Sequence, residues 1–310
     1  MPFDNVISRT DVQAAIPEQV SNEILTNLTS NSAAMTLFRQ IPMATSQTRM
    51  PVLAALPTAY FVNGDTGLKQ TTEAGWANKY LQAEEIAAIV PIPEAVLDDA
   101  SFDVWGSIRP LIEQAVGRTL DAAVFFGVNK PGSWPEAIAP AALAAGHAVT
   151  RGTAPQNQGG ISGDFSNLFS AVEADGFDVN GLVASTAYRG LLRNARDTQG
   201  RPLLDQQTGV YGVNVQYPMR GLWPTGAASV EAIAGDFTQG ILGVRQDITY
   251  KLLDQAVITD NTGAIVYNLA QQDMVALRVV ARFGFQVANT LNYDNPDVAT
   301  RFPFAVMRGA

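Results

Sequence analysis

Hydrophobic positions along the chain change period several times, and each change marks an element. The clearest helical stripe runs from Asp103 to Phe126, where Val104, Ile108, Leu111, Ile112, Ala115, Val116, Leu120, Ala123 and Val124 recur at three- and four-residue spacing. Asp103 is placed to cap its N-terminus, and Pro110 predicts a kink or the start of its straight part. Gly127 to Pro135 then stops it. The clearest alternation lies near the end of the chain. Val275, Leu277, Val279, Ala281, Phe283, Phe285 and Val287 alternate with Met274, Ala276, Arg278, Val280, Arg282, Gly284 and Gln286, which predicts a long half-buried strand. It is expected to pair with strands flanking the Asp103 to Phe126 helix, joining two distant parts of the sequence in one domain.

Residues 1–46 read as a polar arm with two short helices. One starts at Pro17 and carries Val20, Ile24, Leu25 and Leu28; the other runs from Ser30 to Ile41 and is ended by Pro42. They bury little among themselves, so they must lean on another surface. From Thr48 to Val90 short extended runs follow: Arg49-Met50-Pro51-Val52-Leu53, Tyr60-Phe61-Val62, Trp76 to Ala83 and Ile86 to Val90, with a polar, Gly-containing segment from Asn63 to Gln70 between them. This predicts a long two-stranded excursion. A lone hairpin is marginal in water, so one this long predicts a neighbouring subunit to pack on. Ala137 to Gly163 is rich in Ala and Gly without a period and predicts a crossover and loop. Beyond it, helices (Asp164 to Ala174, Thr186 to Ala195) alternate with strands (Gly181 to Ser185, Val213 to Tyr217, Val230 to Ala234, Gly240 to Val244), with a polar loop from Arg196 to Gln207. That alternation predicts a compact α/β unit.

Composition adds constraints. Hydrophobic residues make up 47% and charged residues 16% of the 310, so the chain can build a large core and is left with a weakly polar surface suited to contact with other chains. The net charge of −9 argues against wrapping nucleic acid through phosphate neutralisation. Absence of cysteine removes disulfide frameworks, thiolate metal sites and cysteine nucleophiles. The first residues lack the basic and apolar regions of a signal peptide, and no apolar run is long enough to span a bilayer.

Candidate chemistry is thin. His147 is the one histidine and reads as a loop residue rather than a lone base. Gly127 to Gly132 has the glycine separation of a phosphate loop, but Ser133 stands where lysine is needed and a helix precedes it, so it reads as a helix stop. Glu84 and Glu85 point to opposite faces of a strand, and Asp98 and Asp99 read as a helix-start cluster. Asp294 and Asp297 lack calcium-loop spacing, and Asn27-Leu28-Thr29 matches a glycosylation acceptor only by chance. Trp76, Tyr80, Trp105 and Trp134 read as core or interface anchors. No catalytic, cofactor-binding or metal-binding residue is assigned.

Five segments, in this order and spacing, carry a resemblance over most of the chain. They are Arg49-Met50-Pro51-Val52-Leu53; Ile92-Pro93-Glu94-Ala95-Val96-Leu97-Asp98-Asp99; Leu120-Asp121-Ala122-Ala123-Val124-Phe125-Phe126-Gly127; Gly235-Asp236-Phe237 with Gly243-Val244-Arg245; and Gln272-Asp273-Met274-Val275-Ala276-Leu277-Arg278. From about residue 15 to the end the sequence resembles major capsid proteins of tailed bacteriophages with the Hong Kong 97-like fold. The resemblance implies an α+β fold with an N-terminal arm (1–46), an extended β-hairpin loop and return strand (47–90), a peripheral domain with a long spine helix (91–149), an axial domain (150–262) and C-terminal strands completing the peripheral domain (263–310).

It also implies a structural protein rather than an enzyme, self-assembling into hexamers and pentamers of an icosahedral shell around double-stranded DNA. Its partners would be other copies, a portal protein, and separate scaffolding and cement or decoration proteins; packaged DNA would be touched only non-specifically, and no membrane is involved. The location would be the virion, assembled in the host bacterial cytoplasm. Met1 stands close to the arm, so scaffolding is expected from another protein or is dispensable. Some relatives weld subunits through a loop lysine and a C-terminal asparagine. Here Lys69 and Lys79 lie in the loop and Asn289 and Asn292 past the last long strand, but no motif marks a reacting pair and the lysines read as rim charges. Three alternatives stay open at this level: an encapsulin-like nanocompartment, a soluble enzyme with an unfamiliar carboxylate site, and a tail-tube or other virion component.

Overall fold

The computed structural model describes residues 32–62, 69, 71–100, 103–196, 201, 209–218, 221–224, 229–260 and 262–309. The first expected arm helix and Asn27-Leu28-Thr29 lie outside them. The second expected helix splits in two: α1 (Ala33–Leu37) ends at Phe38, and β1 (Arg39–Pro42) continues in extended form. Phe38 causes the break, because its ring turns into the core, stacking 6.0 Å from Phe285 and 5.8 Å from Phe237. The arm therefore leans on its own chain at this point.

The excursion is a hairpin of β2 (Gln47–Ala55) and β3 (Gly75–Pro93), paired antiparallel from Gln47 opposite Gln82 to Ala55 opposite Gly75. Two strand-like runs expected from Trp76 to Ala83 and Ile86 to Val90 are one 19-residue strand, since Glu84 and Glu85 continue the pairing without a turn. Tyr60-Phe61-Val62 is not a strand. After α2 (Glu94–Asp99) comes α3 (Val104–Asp121), capped as expected by Asp103, whose carboxylate accepts from the Gly106 amide at 2.9 Å. Pro110 lies inside α3 without ending it. The last turn, Ala122–Phe126, widens into a π-helix and stops at Gly127 with φ 74°, where a Cβ would stand 3.3 Å from that of Ala137. Gly127→Ala is expected to cost about 1 kcal/mol, read as a shift in the denaturation midpoint.

Ala137 to Gly163 is not a plain crossover. It holds α4 (Ile138–Ala144) and β4 (Ala148–Thr150), with Ile138, Ala139 and Ala142 buried. Alanine is small enough to let this helix approach closely, and an alanine-rich stretch shows no contrast between faces in the sequence. Then follow α5 (Ile161–Glu173), β5 (Gly181–Ala184), α6 (Tyr188–Asn194), β6 (Val215–Gln216), β7 (Val230–Gly235), β8 (Gly240–Leu253), β9 (Val257–Thr259), β10 (Ile265–Asn268), β11 (Met274–Val287) and β12 (Phe304–Arg308).

Two five-stranded sheets result among the described residues, in orders β1-β8-β11-β3-β2 and β4-β12-β7-β5-β6, with β9 and β10 as a separate ribbon. The first is antiparallel except for β1, which lies parallel on β8. Sheet membership crosses two expected boundaries. β8 falls within 150–262 yet pairs with β11, and β12 falls within 263–310 yet pairs with β4 and β7. The run expected at Gly240 to Val244 extends to Leu253 because its far half alternates polar residues with Ile248 and Tyr250, half-burying one face.

The period-two prediction for β11 holds for most of the strand, although Ala276 and Gly284 on the other face are also buried and Val275 is only partly so. Leu277, Val279, Ala281, Phe283, Phe285 and Val287 are buried against Ile112, Val116 and Leu120 of α3, while Arg278 and Arg282 are exposed. Burying a side chain such as Phe283 contributes about 1.5–3 kcal/mol. A second cluster, built on Phe165, Leu168, Val172, Leu182, Ala232 and Met307, seats α5 on the second sheet.

Candidate assembly surface

Residues that could do chemistry are engaged structurally. His147 is buried, with Nδ1 3.2 Å from the Phe304 carbonyl oxygen and Nε2 3.2 Å from Asp175. It lies in the connection between α4 and β4, a loop position as expected, but a buried one. Asp175 also accepts from the Phe302 amide at 2.8 Å and from the Asn295 side chain at 2.8 Å, and Arg301 donates to the Asn295 carbonyl oxygen at 2.9 Å. This network staples the segment between β11 and β12 onto the turn after α5. Asn289 donates to the Arg301 carbonyl oxygen and Asn292 to that of Asp175, so both amides are used within the chain.

The carboxylate pairs are equally unremarkable as catalysts. Glu84 accepts from Ser133 at 2.6 Å, and Glu85 forms an ion pair with Arg282 at 2.7 Å on the other face. Asp98 and Asp99 do not start a helix; they end α2. Asp297 accepts from the Ala299 amide in a local turn. No group of three or more acidic, histidine or cysteine side chains suited to a metal occurs among the described residues. An open cleft of about 490 Å³ beside α3 is lined by Leu111, Ala115, Arg118 and Val128, with no acid or histidine to move a proton.

The hairpin is different. Its base is tied down: Trp134 Nε1 donates to the Gln82 carbonyl oxygen at 3.1 Å, the Gln286 side chain to that of Tyr80 at 2.9 Å, and Lys79 Nζ to that of Val287 at 2.9 Å. Burial, and secondarily the nearby Arg301 charge, hold the Lys79 pKa below the usual lysine value. Lys69 is exposed. Beyond the base the Tyr293 hydroxyl donates to the Pro57 carbonyl oxygen at 2.6 Å, but much apolar surface is left exposed by the described residues. Phe61 is 101% exposed and Trp76 73% exposed, with Tyr60, Val62, Leu53 and Tyr80 also exposed. Of the four aromatics singled out from sequence, Trp134 is buried against Phe285 and Trp105 packs on the core, whereas Trp76 and Tyr80 face outward. A run of exposed aromatics on a projecting ribbon marks an interaction surface.

One important residue gave no signal in the sequence. Asp121, on α3, is fully buried and receives the N-terminus of α1: Oδ2 accepts from the Ala33 amide at 2.9 Å and Oδ1 from the Ala34 amide at 3.0 Å and from the Ser32 hydroxyl. Burial pushes its pKa up to about 6, although these hydrogen bonds pull the other way.

Comparison with known proteins agrees with this fold. A profile described as the phage capsid family matches residues 13–291. The chain is 26% identical over 298 residues to the major capsid protein of Staphylococcus phage 80alpha, covering 92% of this chain and 86% of that protein. Among solved structures, one from Microbacterium phage Oxtober96 matches with a TM-score of 0.85 and 38% identity over 99% of this chain and 100% of that one. Another, from Mycobacterium phage Adephagia, matches with a TM-score of 0.85 and 34% identity over 99% of each. The fold is thus the Hong Kong 97-like α+β capsid fold expected from the sequence, and the chain belongs to the phage capsid family.

Proposed function

We propose that this protein, a major capsid protein and so a component of the virion, builds its shell as hexamers and pentamers held together by the hairpin of each subunit lying across a neighbour. The observation that carries the reading is the bare aromatic surface at Phe61 and Trp76, which belong to no buried cluster among the described residues. β2 alone extends about 30 Å at about 3.3 Å per residue. Such a reach brings the aromatics to an adjacent subunit. Weak contacts repeated over many copies then close cooperatively.

In this reading the sheet β1-β8-β11-β3-β2 with α3 is the peripheral domain, and the sheet β4-β12-β7-β5-β6 with α5 and α6 is the axial domain that meets its copies at the capsomer centre. A portal protein, separate scaffolding or cement proteins, packaged double-stranded DNA and assembly in the host cytoplasm complete it. Expression of the chain alone, followed by electron microscopy and light scattering, tests the reading. Closed icosahedral shells are expected. A product that stays monomeric at every concentration tried, with neither capsomers nor shells, would refute it, and tubes would favour a tail component.

A further inference from the structure

The register of the first sheet places two cations side by side on its open face. Arg278 of β11 stands directly opposite Lys251 of β8 on one side and Ile89 of β3 on the other. All three are exposed, and neither cation has a hydrogen bond or ion pair among the described residues. Like charges directly opposed across a sheet are destabilising. The neighbouring row, Thr249, Val280 and Ala87, is small and flat, and only Arg282 further along finds an acid, Glu85. The Lys251–Arg278–Ile89 row is thus a basic, partly apolar strip left exposed by the described residues, in a molecule whose net charge is −9.

The complementary feature begins where β3 ends. α2 follows Pro93 directly and presents Glu94, Val96, Asp98 and Asp99 to solvent, none in an ion pair among the described residues. Asp98 and Asp99 sit at the C-terminal end of the helix, where its unpaired carbonyl groups repel anions. Each feature is unfavourable within one copy, and each has the charge and the apolar residue that the other lacks. A contact between the row of one copy and α2 of another is heterologous, the kind that can close into a ring.

We propose that the Lys251–Arg278–Ile89 row receives α2 of a second copy, with Asp98 and Asp99 against the two cations and Val96 against Ile89. The proposal rests on the shell reading, because it concerns copies meeting one another. Two cations are too few for a phosphate-backbone footprint, which favours a protein partner over packaged DNA.

The test uses the full chain in four variants: Lys251→Glu with Arg278→Glu; Asp98→Lys with Asp99→Lys; all four together; and Lys251→Ala with Arg278→Ala. Shell yield is read by sedimentation and electron microscopy, and thermal unfolding is followed on unassembled protein. Either reversal alone is expected to lower shell yield about tenfold, and the fourfold swap to restore most of it. The alanine pair is expected to raise the melting temperature of the unassembled chain by about 1–3 °C while lowering shell yield, a combination that a folding defect does not produce. Wild-type shells with unchanged yield in both reversals, a fourfold swap that restores nothing, or loss of DNA retention alone would overturn the proposal and leave the shell reading standing. Failure of the wild type to form shells would instead strike that reading.

Discussion

Replacing Asp121 with alanine is expected to destabilise the chain by about 2–4 kcal/mol, measured by denaturant unfolding of unassembled protein. The carboxylate accepts from two buried amides, Ala33 and Ala34, and each left without an acceptor costs about 1–3 kcal/mol. Relief of burying a charged group offsets part of this at pH 7. The same residue predicts a pH dependence. Its folded pKa, about 6, lies above the ordinary value of 3.8. A raised acid pKa means that the folded state holds the proton more tightly, so this contribution is complete below about pH 4 and is lost as pH rises through about 6. Asp121→Asn carries no such proton. The stability of the wild type relative to this variant is therefore expected to fall by about 2–3 kcal/mol between pH 4 and pH 7. A difference that stays flat across that window would show that the carboxylate is ionised throughout.

Phe61→Asp combined with Trp76→Asp is expected to abolish shell formation while leaving the unassembled chain's melting temperature within about 2 °C of the wild type. Both rings are largely or wholly outside the fold, so replacing them removes almost no packing from a single copy. In a shell they would be covered, and burying two unpaired carboxylates there is strongly unfavourable. Sedimentation and calorimetry on the same preparation separate the two effects. Intact shells from the doubly substituted chain would remove the hairpin from the assembly mechanism.

Much of the fold was legible because it is written in period. The helical stripe of α3, its Asp103 cap and its glycine stop, and the alternation of β11 all follow from local spacing, and the structure has each where it was expected. Where legibility failed, the local signal was weak or misleading. α4 is alanine-rich and shows no contrast between faces, although its buried residues pack in the centre of the main cluster. Ser30 to Ile41 keeps helical spacing, but Phe38 finds three aromatic partners only by leaving the helix. His147 is in a loop as expected, but its burial was not legible because its partners, Asp175 and Phe304, lie far along the chain. The assembly surface was half visible: a long hairpin announced that it needed a neighbour, but which of its aromatics face outward depends on what lies beneath them. Trp134 and Trp76 are the same residue type with opposite fates.

The amino-acid sequence by itself determined that the protein has a large core, a long hairpin and a spine-like helix, and it identified the family. These are properties of composition, of periods spanning a few residues and of motif order. Only the tertiary structure decided that β8 joins the first sheet and β12 the second, that Asp121 holds the arm 88 residues away, and that Lys251 and Arg278 stand opposite each other. The reason is physical: strand register and burial arise when distant segments compete for the same apolar surface, and no local pattern records the outcome of that competition.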